Sequence, residues 1–424
     1  MHKDLDISLD KISKIEGSAS LEIKIRKNQI KKVKLKITEN KRFYTQAIRG
    51  KNCLAVHQIV SRICGTCSVA HLLCCIEAVE RALNIKPSEQ TMILRKLALY
   101  GTMIRDHALH LYFFVLPDIL GIDSILEIED TKILEQAFRV KAAGNSLASL
   151  IGGRAIHPSY IQVGYFESIP KNKEEIKRVI DELRSIRGDV LDLIDILDKC
   201  DFSYEKDRIF VSLITKDYTF IEGEIRSIDG TIIREEDYWD YLNRIVIPYS
   251  QATGFQFKSR EYMVGALARM NLNKDAIHKD TKKDAAKYLS RFPSNNVFHN
   301  NLAQAIEILH SIDHSIELLE TSEFKEEGKP EIKIKSSEGV GVLEAPRGTL
   351  YYMLSINNDG KINYGNIVIP TAQNQIIMER DIKDMVSKMI KKSKHEIVYE
   401  IEKLIRAYDP CMSCASHFLK VKWS

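Results

Sequence analysis

The sequence predicts a mainly α-helical protein of the α+β class, with a large helical core and small antiparallel β-sheets at its periphery. Long segments place apolar residues at helical spacing, and they make up most of the middle of the chain. Shorter segments alternate apolar and polar residues between turn signals, which is typical of β-hairpins. Neither an internal repeat nor a low-complexity linker interrupts the sequence, so we expect residues 1–424 to form a single unit.

The first predicted β element is a hairpin over about residues 18–40. Two runs alternate apolar and polar residues around the letters KNQ, with apolar positions at Leu21, Ile23, Ile25, Val33, Leu35 and Ile37. Because side chains on a strand point to opposite faces in turn, each run buries one face.

Helical periodicity dominates the rest of the chain. The predicted helices cover residues 67–85, 88–116, 128–152, 173–199, 259–271, 280–320 and 374–407. We expect Pro117 to end the second of them, because proline lacks the N–H group that continues a helix. The last helix leads directly to the letters DPCMSC.

Two further β segments are expected outside the helical core. A β-rich insertion is predicted over about residues 204–240, where apolar runs are separated by glycine-marked turns. A C-terminal hairpin is predicted over about residues 340–370, with the letters NDG as its turn.

Composition narrows the class of protein. Hydrophobic residues make up 44% and charged residues 28%, and the net charge is +4, from 62 basic and 58 acidic residues. This balance gives no indication of nucleic-acid binding. The most apolar stretch, residues 107–121, is shorter than the roughly 20 residues that cross a bilayer. With no signal peptide at the N-terminus, we expect a cytoplasmic protein without a membrane span, whose eight cysteines are thiols or metal ligands.

Two Cys-x-x-Cys pairs are the main chemical signal. The letters SRICGTCSVAH contain Cys64 and Cys67, and the letters YDPCMSCASH contain Cys411 and Cys414. Four thiolates form a soft donor set that suits zinc, nickel, iron or an iron–sulfur cluster. Spacing alone leaves open a closed structural zinc site, a redox or catalytic metal site, or unrelated thiols. The other four cysteines, Cys53, Cys74, Cys75 and Cys200, are expected to pack as small apolar residues.

Polar residues around each pair favour a redox or catalytic metal site over a purely structural one. Arg62 and His71 flank the first pair, and Asp409 and His417 flank the second. His71 lies one helical turn after Cys67, from where its ring can donate a hydrogen bond to a metal-bound sulfur.

These motifs resemble the nickel–iron hydrogenase large subunit. The two cysteine pairs match R-x-C-x-x-C-x-x-x-H and D-P-C-x-x-C-x-x-H, and further segments resemble the family in the same order. They are KIEG (14–17), RDHALHLY (105–112), GGRAIHP (152–158), EAPRG (344–348) and IPTAQN (369–374).

The resemblance implies a nickel ion bound by Cys64, Cys67, Cys411 and Cys414. It also implies that Cys67 and Cys414 bridge to an iron that carries carbon monoxide and cyanide. The implied reaction is reversible heterolytic cleavage of H2, with the Cys411 thiolate as the nearest base for the proton.

The same resemblance assigns roles to other residues. Glu16 corresponds to a proton-relay glutamate, Arg347 to an arginine above the metals, Pro346 to a residue that shapes their pocket, and Thr371 to a donor to cyanide. His71 would donate a hydrogen bond to a metal-bound sulfur and so tune it as a ligand.

Asp106 and Asp409 would hold Arg347, since buried charges need partners. His110 is four residues after Asp106 on one helix face, so it either points inward with Asp106 or lies on the helix surface.

The sequence departs from the family pattern in two places. Thr45 stands where many members have a glutamate that helps to bind a magnesium or iron ion near the C-terminal histidine, so the resemblance makes His417 a ligand of that ion. The threonine weakens the case for this third metal site, unless Glu39 replaces the missing glutamate. Residues 418–424 follow the last motif, and we expect a maturation protease to remove them.

The resemblance points to the cytoplasmic, multi-subunit branch, and most nearly to the sulfhydrogenase-like, NADP-linked type. It implies an iron–sulfur small subunit, further subunits that reduce NAD(P), deazaflavin or polysulfide, and nickel chaperones. Two alternatives remain for this sequence. A Complex I-like core subunit would have lost the four cysteines, and a non-catalytic scaffold would hold only zinc.

Overall fold

The computed structural model describes residues 4–39, 43–128 and 131–416. Helices form about 49% of it and strands about 20%, in agreement with the predicted fold class. They are α1 Tyr44–Ala47, α2 Val56–Val60, α3 Ser68–Leu83, α4 Glu89–His110, α5 Leu116–Leu120, α6 Thr131–Gly152, α7 Lys173–Asp198, α8 Ala266–Asn273, α9 Lys279–Asp284, α10 Ala286–Leu289, α11 His299–Thr321, α12 Pro370–Lys388, α13 Lys394–Ala407 and α14 Met412–Ala415. Within the described residues, no helix is both long and apolar enough to cross a membrane.

The strands are short and belong to small separate sheets. They are β1 Leu5–Leu9, β2 Ala19–Arg26, β3 Gln29–Ile37, β4 Ile161–Gln162, β5 Tyr165–Phe166, β6 Ile209–Ile214, β7 Glu224–Ser227, β8 Ile232–Ile233, β9 Leu242–Val246, β10 Thr253–Phe257, β11 Tyr262–Met263, β12 Ser337–Ala345, β13 Gly348–Ile356 and β14 Ile362–Val368. The sheet orders are β1-β2-β3, β4-β5, β11-β6-β7-β8, β10-β9 and β12-β13-β14.

The helical core consists of α4, α6, α7 and α11, which pack on one another. Helices α4 and α6 approach closely at two glycines. A Cβ atom on Gly101 would lie 2.7 Å from the Ala148 nitrogen, and one on Gly144 would lie 2.7 Å from the Arg105 nitrogen. Only glycine allows the two backbones to come this close.

Two three-stranded sheets occupy the segments where hairpins were predicted. In the N-terminal sheet, β2 and β3 form an antiparallel pair, and β1 adds a strand that the sequence analysis missed. In the C-terminal sheet, β13 and β14 join at the predicted turn, where Gly360 has a φ of 71°. Helix α3 packs across β12 and β13, which places the first cysteine pair beside this sheet.

Pro117 does not end its helix, contrary to the prediction. Helix α4 continues through a π-helical turn, Leu111–Val115, into α5, and Pro117 lies in the first turn of α5. A proline is tolerated there because the N–H groups of a first turn need no partner inside the helix.

Several predicted helix boundaries were also wrong. The segment predicted as one helix over 374–407 is two helices, α12 and α13, and α13 begins with a capping box between Ser393 and Glu396. The segment 259–271 contains β11 before α8, and the segment 280–320 is divided among α9, α10 and α11. Beyond the predicted β-rich insertion at 204–240, strands β9 to β11 follow as far as Met263.

Candidate metal centre

The two Cys-x-x-Cys pairs meet in the folded chain. Cys64 follows a short 3₁₀ turn, and Cys67 is the residue directly before α3. Cys411 directly precedes α14, and Cys414 lies within it. The four sulfur atoms all lie within 4.8 Å of one another, although the pairs are far apart in sequence. No second group of potential metal ligands converges in this way in residues 4–39, 43–128 or 131–416.

The four thiols are buried and almost in contact. The Sγ atoms of Cys411 and Cys414 are 3.0 Å apart, those of Cys67 and Cys414 are 3.1 Å apart, and those of Cys64 and Cys411 are 3.5 Å apart. All four residues are at most 5% exposed. One small ion, or a pair of ions, can therefore contact every sulfur.

The chemistry of this donor set fits a bound metal. Burial raises the pKa values of Cys411 and Cys414 well above that of an ordinary thiol. Hydrogen bonds from Cys411, Cys414 and Cys67 lower the pKa of Cys64 well below it. Ionising all four buried thiols together requires a compensating cation, and thiolates prefer soft metals such as nickel and iron.

Glu16 lies against the cluster, where the sequence analysis placed it. The Cys411 thiol donates a hydrogen bond to Glu16 Oε2 at 2.8 Å, and the Ser413 hydroxyl donates to Oε1 at 2.9 Å. The half-buried carboxyl links the buried sulfur to the outer part of the molecule, and burial raises its pKa. Gly17, with a φ of 80°, leaves the space for Ser413, because a Cβ there would lie 2.7 Å from the Ser413 nitrogen.

Arg347 is held between two buried carboxylates. Its Nη1 donates to Asp106 Oδ2 at 2.6 Å, and its Nη2 lies 3.1 Å from Asp409 Oδ1. Burial raises the pKa of Asp106. Burial acts in the same direction on Asp409, but the Arg347 guanidinium, the two neighbouring histidines and the hydrogen bond from Gln304 together outweigh it and lower the pKa of that carboxyl. Because Asp409 lies two residues before Cys411, its ion pair with Arg347 holds the guanidinium next to the segment that carries the second cysteine pair.

The other predicted site residues contact the same cluster or its supports. His71 Nε2 lies 3.6 Å from Cys414 Sγ, and its Nδ1 lies 2.8 Å from the Tyr352 hydroxyl. The Thr371 hydroxyl oxygen accepts a hydrogen bond from the Cys411 N–H at 2.9 Å. Pro346 is buried directly before Arg347.

Comparisons with known proteins identify the family of the chain. The sequence profile of the family described as nickel-dependent hydrogenase matches residues 42–152 and 240–417. The sulfhydrogenase 1 subunit alpha of Pyrococcus furiosus is 35% identical over 425 residues, which cover 98% of this chain and 99% of the relative. The chain belongs to the nickel-dependent hydrogenases.

Other relatives of this hydrogenase chain give the same result. The sulfhydrogenase 2 subunit alpha of Pyrococcus furiosus is 33% identical, covering 98% of this chain and all of the relative. The NAD-reducing hydrogenase HoxS subunit beta of Cupriavidus necator is 25% identical, covering 97% of this chain and 94% of the relative. The crystal structure of an NAD+-reducing [NiFe]-hydrogenase in the H2-reduced state superposes with a TM-score of 0.87 at 23% identity, covering 98% of this chain and 100% of that one. This last match concerns the fold.

The chain is thus a catalytic hydrogenase subunit, an oxidoreductase that acts on H2. Membership of this family supports nickel and iron as its metals, and the described residues bring together one cluster of four cysteines that could hold them. Its homologues are large subunits of multi-subunit hydrogenases, so small and other subunits belong to its assembly. These findings decide against both alternatives, the zinc scaffold and the Complex I-like core subunit.

Some predictions about the hydrogenase site lie outside the described residues or need correction. His417 and the tail 418–424 are not among the residues that the structure describes, and Thr45 is half-buried in α1. Arg62 is exposed and donates to the Gln58 carbonyl and the Ser61 hydroxyl. His110 is buried and bonded to the Arg406 carbonyl at 2.8 Å, so the surface alternative for it was wrong.

Two supporting residues of the hydrogenase site were missed by sequence reasoning. Gln304 Nε2 donates to Asp409 Oδ2 at 2.8 Å, and its Oε1 lies 2.7 Å from His110 Nδ1. Arg105 donates to the carbonyls of Thr66 and Ala155 and so ties the first cysteine loop to α4. Arg105 is the first residue of the motif RDHALHLY, so the sequence contained a signal for it. Gln304 belongs to no local pattern.

Proposed function

We propose that Cys64, Cys67, Cys411 and Cys414 bind nickel, and that Cys67 and Cys414 also bridge to an iron with carbon monoxide and cyanide ligands. The 3.1 Å separation between the Cys67 and Cys414 sulfurs supports a shared pair of bridging ligands. Such a centre, when bound, supplies heterolytic cleavage of H2. The protein's own residues then handle the proton, the charge and the exclusion of water.

The hydrogen bond from Cys411 to Glu16 is the observation that carries the proposed proton route. A proton held on the Cys411 sulfur has the Glu16 carboxylate 2.8 Å away as its first acceptor. Because burial raises the pKa of Glu16, the carboxyl binds a proton more readily than an exposed glutamate and can pass it outward. The Ser413 hydroxyl and N–H hold the carboxylate in this position.

Arg347 is proposed to act on the substrate beside the sulfur cluster. Its guanidinium, fixed by Asp106 and Asp409, places positive charge beside the sulfurs, where it can polarise the substrate or donate to a cyanide. Pro346 is proposed to shape the pocket, and Thr371 to donate its hydroxyl proton to a cyanide.

Electrons are proposed to leave through an iron–sulfur small subunit. Apart from the four-cysteine site, the described part of the chain brings no other cysteines together as potential metal ligands. The names sulfhydrogenase and NAD-reducing hydrogenase among the relatives support polysulfide or NAD(P) as the final acceptor, reduced by further subunits. We also propose nickel chaperones, removal of residues 418–424 by a maturation protease, and a cytoplasmic location, on the resemblance to that branch of the family.

An infrared spectrum tests the metal centre directly. The complex, purified anaerobically with its natural partners, should show sharp bands where metal-bound carbon monoxide and cyanide absorb. Metal analysis of the same sample should give nickel together with iron. The Cys64→Ser variant should lose the bands and the nickel, whereas Cys200→Ser, at a half-buried cysteine outside the motifs, should keep both. Nickel without infrared bands, in a sample cleaved after His417, would contradict the proposed iron ligands.

A further inference from the structure

Arg269 lies behind the segment that leads to Arg347. Its side chain is 2% exposed, and all five N–H groups of its guanidinium have partners. Nε and Nη2 donate to the two carboxylate oxygens of Glu307 at 2.7 Å each, and Nη1 donates to Glu344 Oε2 at 2.8 Å. The remaining two N–H groups donate to the carbonyl oxygens of Ala345 and Pro346 at 3.0 Å each.

The two carbonyls are those of the residues directly before Arg347. A guanidinium is planar and rigid, so five simultaneous hydrogen bonds fix the direction of the backbone that it holds. Thr349 completes the arrangement on the other side of Arg347, because its hydroxyl donates to Glu344 Oε1 at 2.6 Å. The segment 344–349 is therefore fixed at both ends, with the Arg347 side chain projecting between them.

The same two helices support both buried arginines. On α4, Asp106 bonds to Arg347, and the next residue, His107, lies 2.9 Å from Glu307 Oε2. On α11, Gln304 donates to Asp409, and Glu307 accepts from Arg269. The two ion-pair networks thus form one frame, and a shift of Arg269 is transmitted to the residues around Arg347.

We propose that Arg269 is a positioning residue for the hydrogenase reaction, which acts by holding the backbone of residues 344–346 so that Arg347 faces the four sulfurs. This inference rests on the role proposed above for Arg347. Stability alone does not account for the arrangement, because well-packed apolar residues often stabilise a core as much as a buried ion pair does. The five directed hydrogen bonds supply geometry, and misplacement by about 1 Å lowers a catalytic rate by about a hundredfold.

Arg269→Lys tests the positioning without any metal. Lysine keeps the charge but cannot make the planar, five-bonded contact. Arg95→Lys is the matched control, because Arg95 is 4% exposed and forms a similar two-oxygen pair with Glu80 away from the cluster. In the metal-free chain, hydrogen exchange of the amides of residues 344–349 should be at least tenfold faster in Arg269→Lys than in Arg95→Lys.

Kinetics of the complete complex provide the second readout. Per nickel bound, kcat for H2 oxidation should fall at least tenfold in Arg269→Lys, with the KM for H2 within twofold and the rate of Arg95→Lys unchanged. If Arg269 acts through Arg347, the double variant Arg269→Lys/Arg347→Lys should be within threefold of Arg347→Lys alone. Should Arg269→Lys not fold, Glu307→Gln is measured in the same way.

The possible failures are distinguishable. Unchanged exchange at 344–349, or losses of kcat that multiply in the double variant, would overturn the positioning role of Arg269. An Arg347→Lys variant with full kcat would instead overturn the role proposed for Arg347, whatever the exchange data show.

Discussion

Glu16 is the single side chain on which the proposed proton route depends. Glu16→Gln keeps the size of the side chain and can still accept from the Ser413 hydroxyl, but an amide cannot bind the proton that Cys411 delivers. Turnover in H2-dependent dye reduction should fall by about a hundredfold or more. Nickel and iron content should stay as in the unmodified chain.

A carboxylate of the neighbouring sheet serves as the control for this change. Glu22 on β2 pairs with Lys32 on the outside of the sheet, and Glu22→Gln should leave turnover unchanged. A Glu16→Gln enzyme within twofold of normal turnover would show that the proton leaves the cluster by another route.

At the scale of elements, the close packing of α4 against α6 positions the first cysteine loop. Gly144→Ala would force a Cβ to within 2.7 Å of the Arg105 nitrogen, and Arg105 holds the carbonyl of Thr66 in that loop. We expect the free energy of unfolding to fall by about 1–3 kcal/mol in urea titrations. Nickel content should fall as well, because the loop that carries Cys64 and Cys67 moves.

A glycine elsewhere in the helical core separates this effect from the general properties of alanine. Gly188 in α7 is exposed and would have nothing within 4 Å of an added Cβ. Gly188→Ala should therefore raise the free energy of unfolding by about 0.5–1 kcal/mol, since alanine is the better helix former. Equal effects of the two substitutions would show that α4 and α6 can separate at no cost.

The packing of α3 on β12 should depend on pH. Glu77 on α3 accepts from the Val342 N–H of β12 and shares Arg81 with Glu235. Burial raises the pKa of Glu77 to about 8 and that of Glu235 to about 7, from 4.5 for an ordinary glutamate. The folded state therefore binds more protons than the unfolded state between about pH 4.5 and 8, and this pair's contribution to stability decreases as pH rises through that window.

Glu77→Gln removes one titrating group while keeping its shape. The decrease in the free energy of unfolding between pH 5 and 8 should become smaller in this variant, as followed by urea titration at each pH. A variant with the same pH dependence as the unmodified chain would show that Glu77 is already ionised at pH 5 in the folded protein.

On the scale of the whole molecule, a bound metal closes a loop that contains most of the chain. Joining Cys64 and Cys67 to Cys411 and Cys414 restricts the unfolded state, and the loop-entropy relation derived for disulfides gives on the order of 5 kcal/mol for such a length. Protein from nickel-replete cells should thus unfold at a higher temperature than protein from nickel-depleted cells. The difference should vanish in Cys411→Ser, and coincident midpoints in the unmodified chain would contradict the prediction.

The residues of the site can be predicted from the sequence, whereas most of the residues that support them cannot. The four cysteines, Glu16 and Arg347 lie in short motifs with fixed spacing, and the fold brings all of them to one place. Gln304 and Arg269 were not predicted, because each acts through contacts between segments distant in sequence, which leave no local pattern. The prediction that Pro117 ends its helix was wrong because a π-helical turn precedes the proline and places it in the first turn of a new helix.

Because the two cysteine pairs meet only in the folded chain, the completeness of the metal site depends on folding. Each pair supplies only two sulfurs. A chain that has folded only its N-terminal half therefore offers a metal ion two of the four sulfurs. The full set of ligands exists only when α13 has docked and brought Cys411 and Cys414 beside α3. If all four cysteines bind the metals as proposed, a chain in which α13 has not docked therefore lacks two of the four sulfur ligands that the reaction with hydrogen requires.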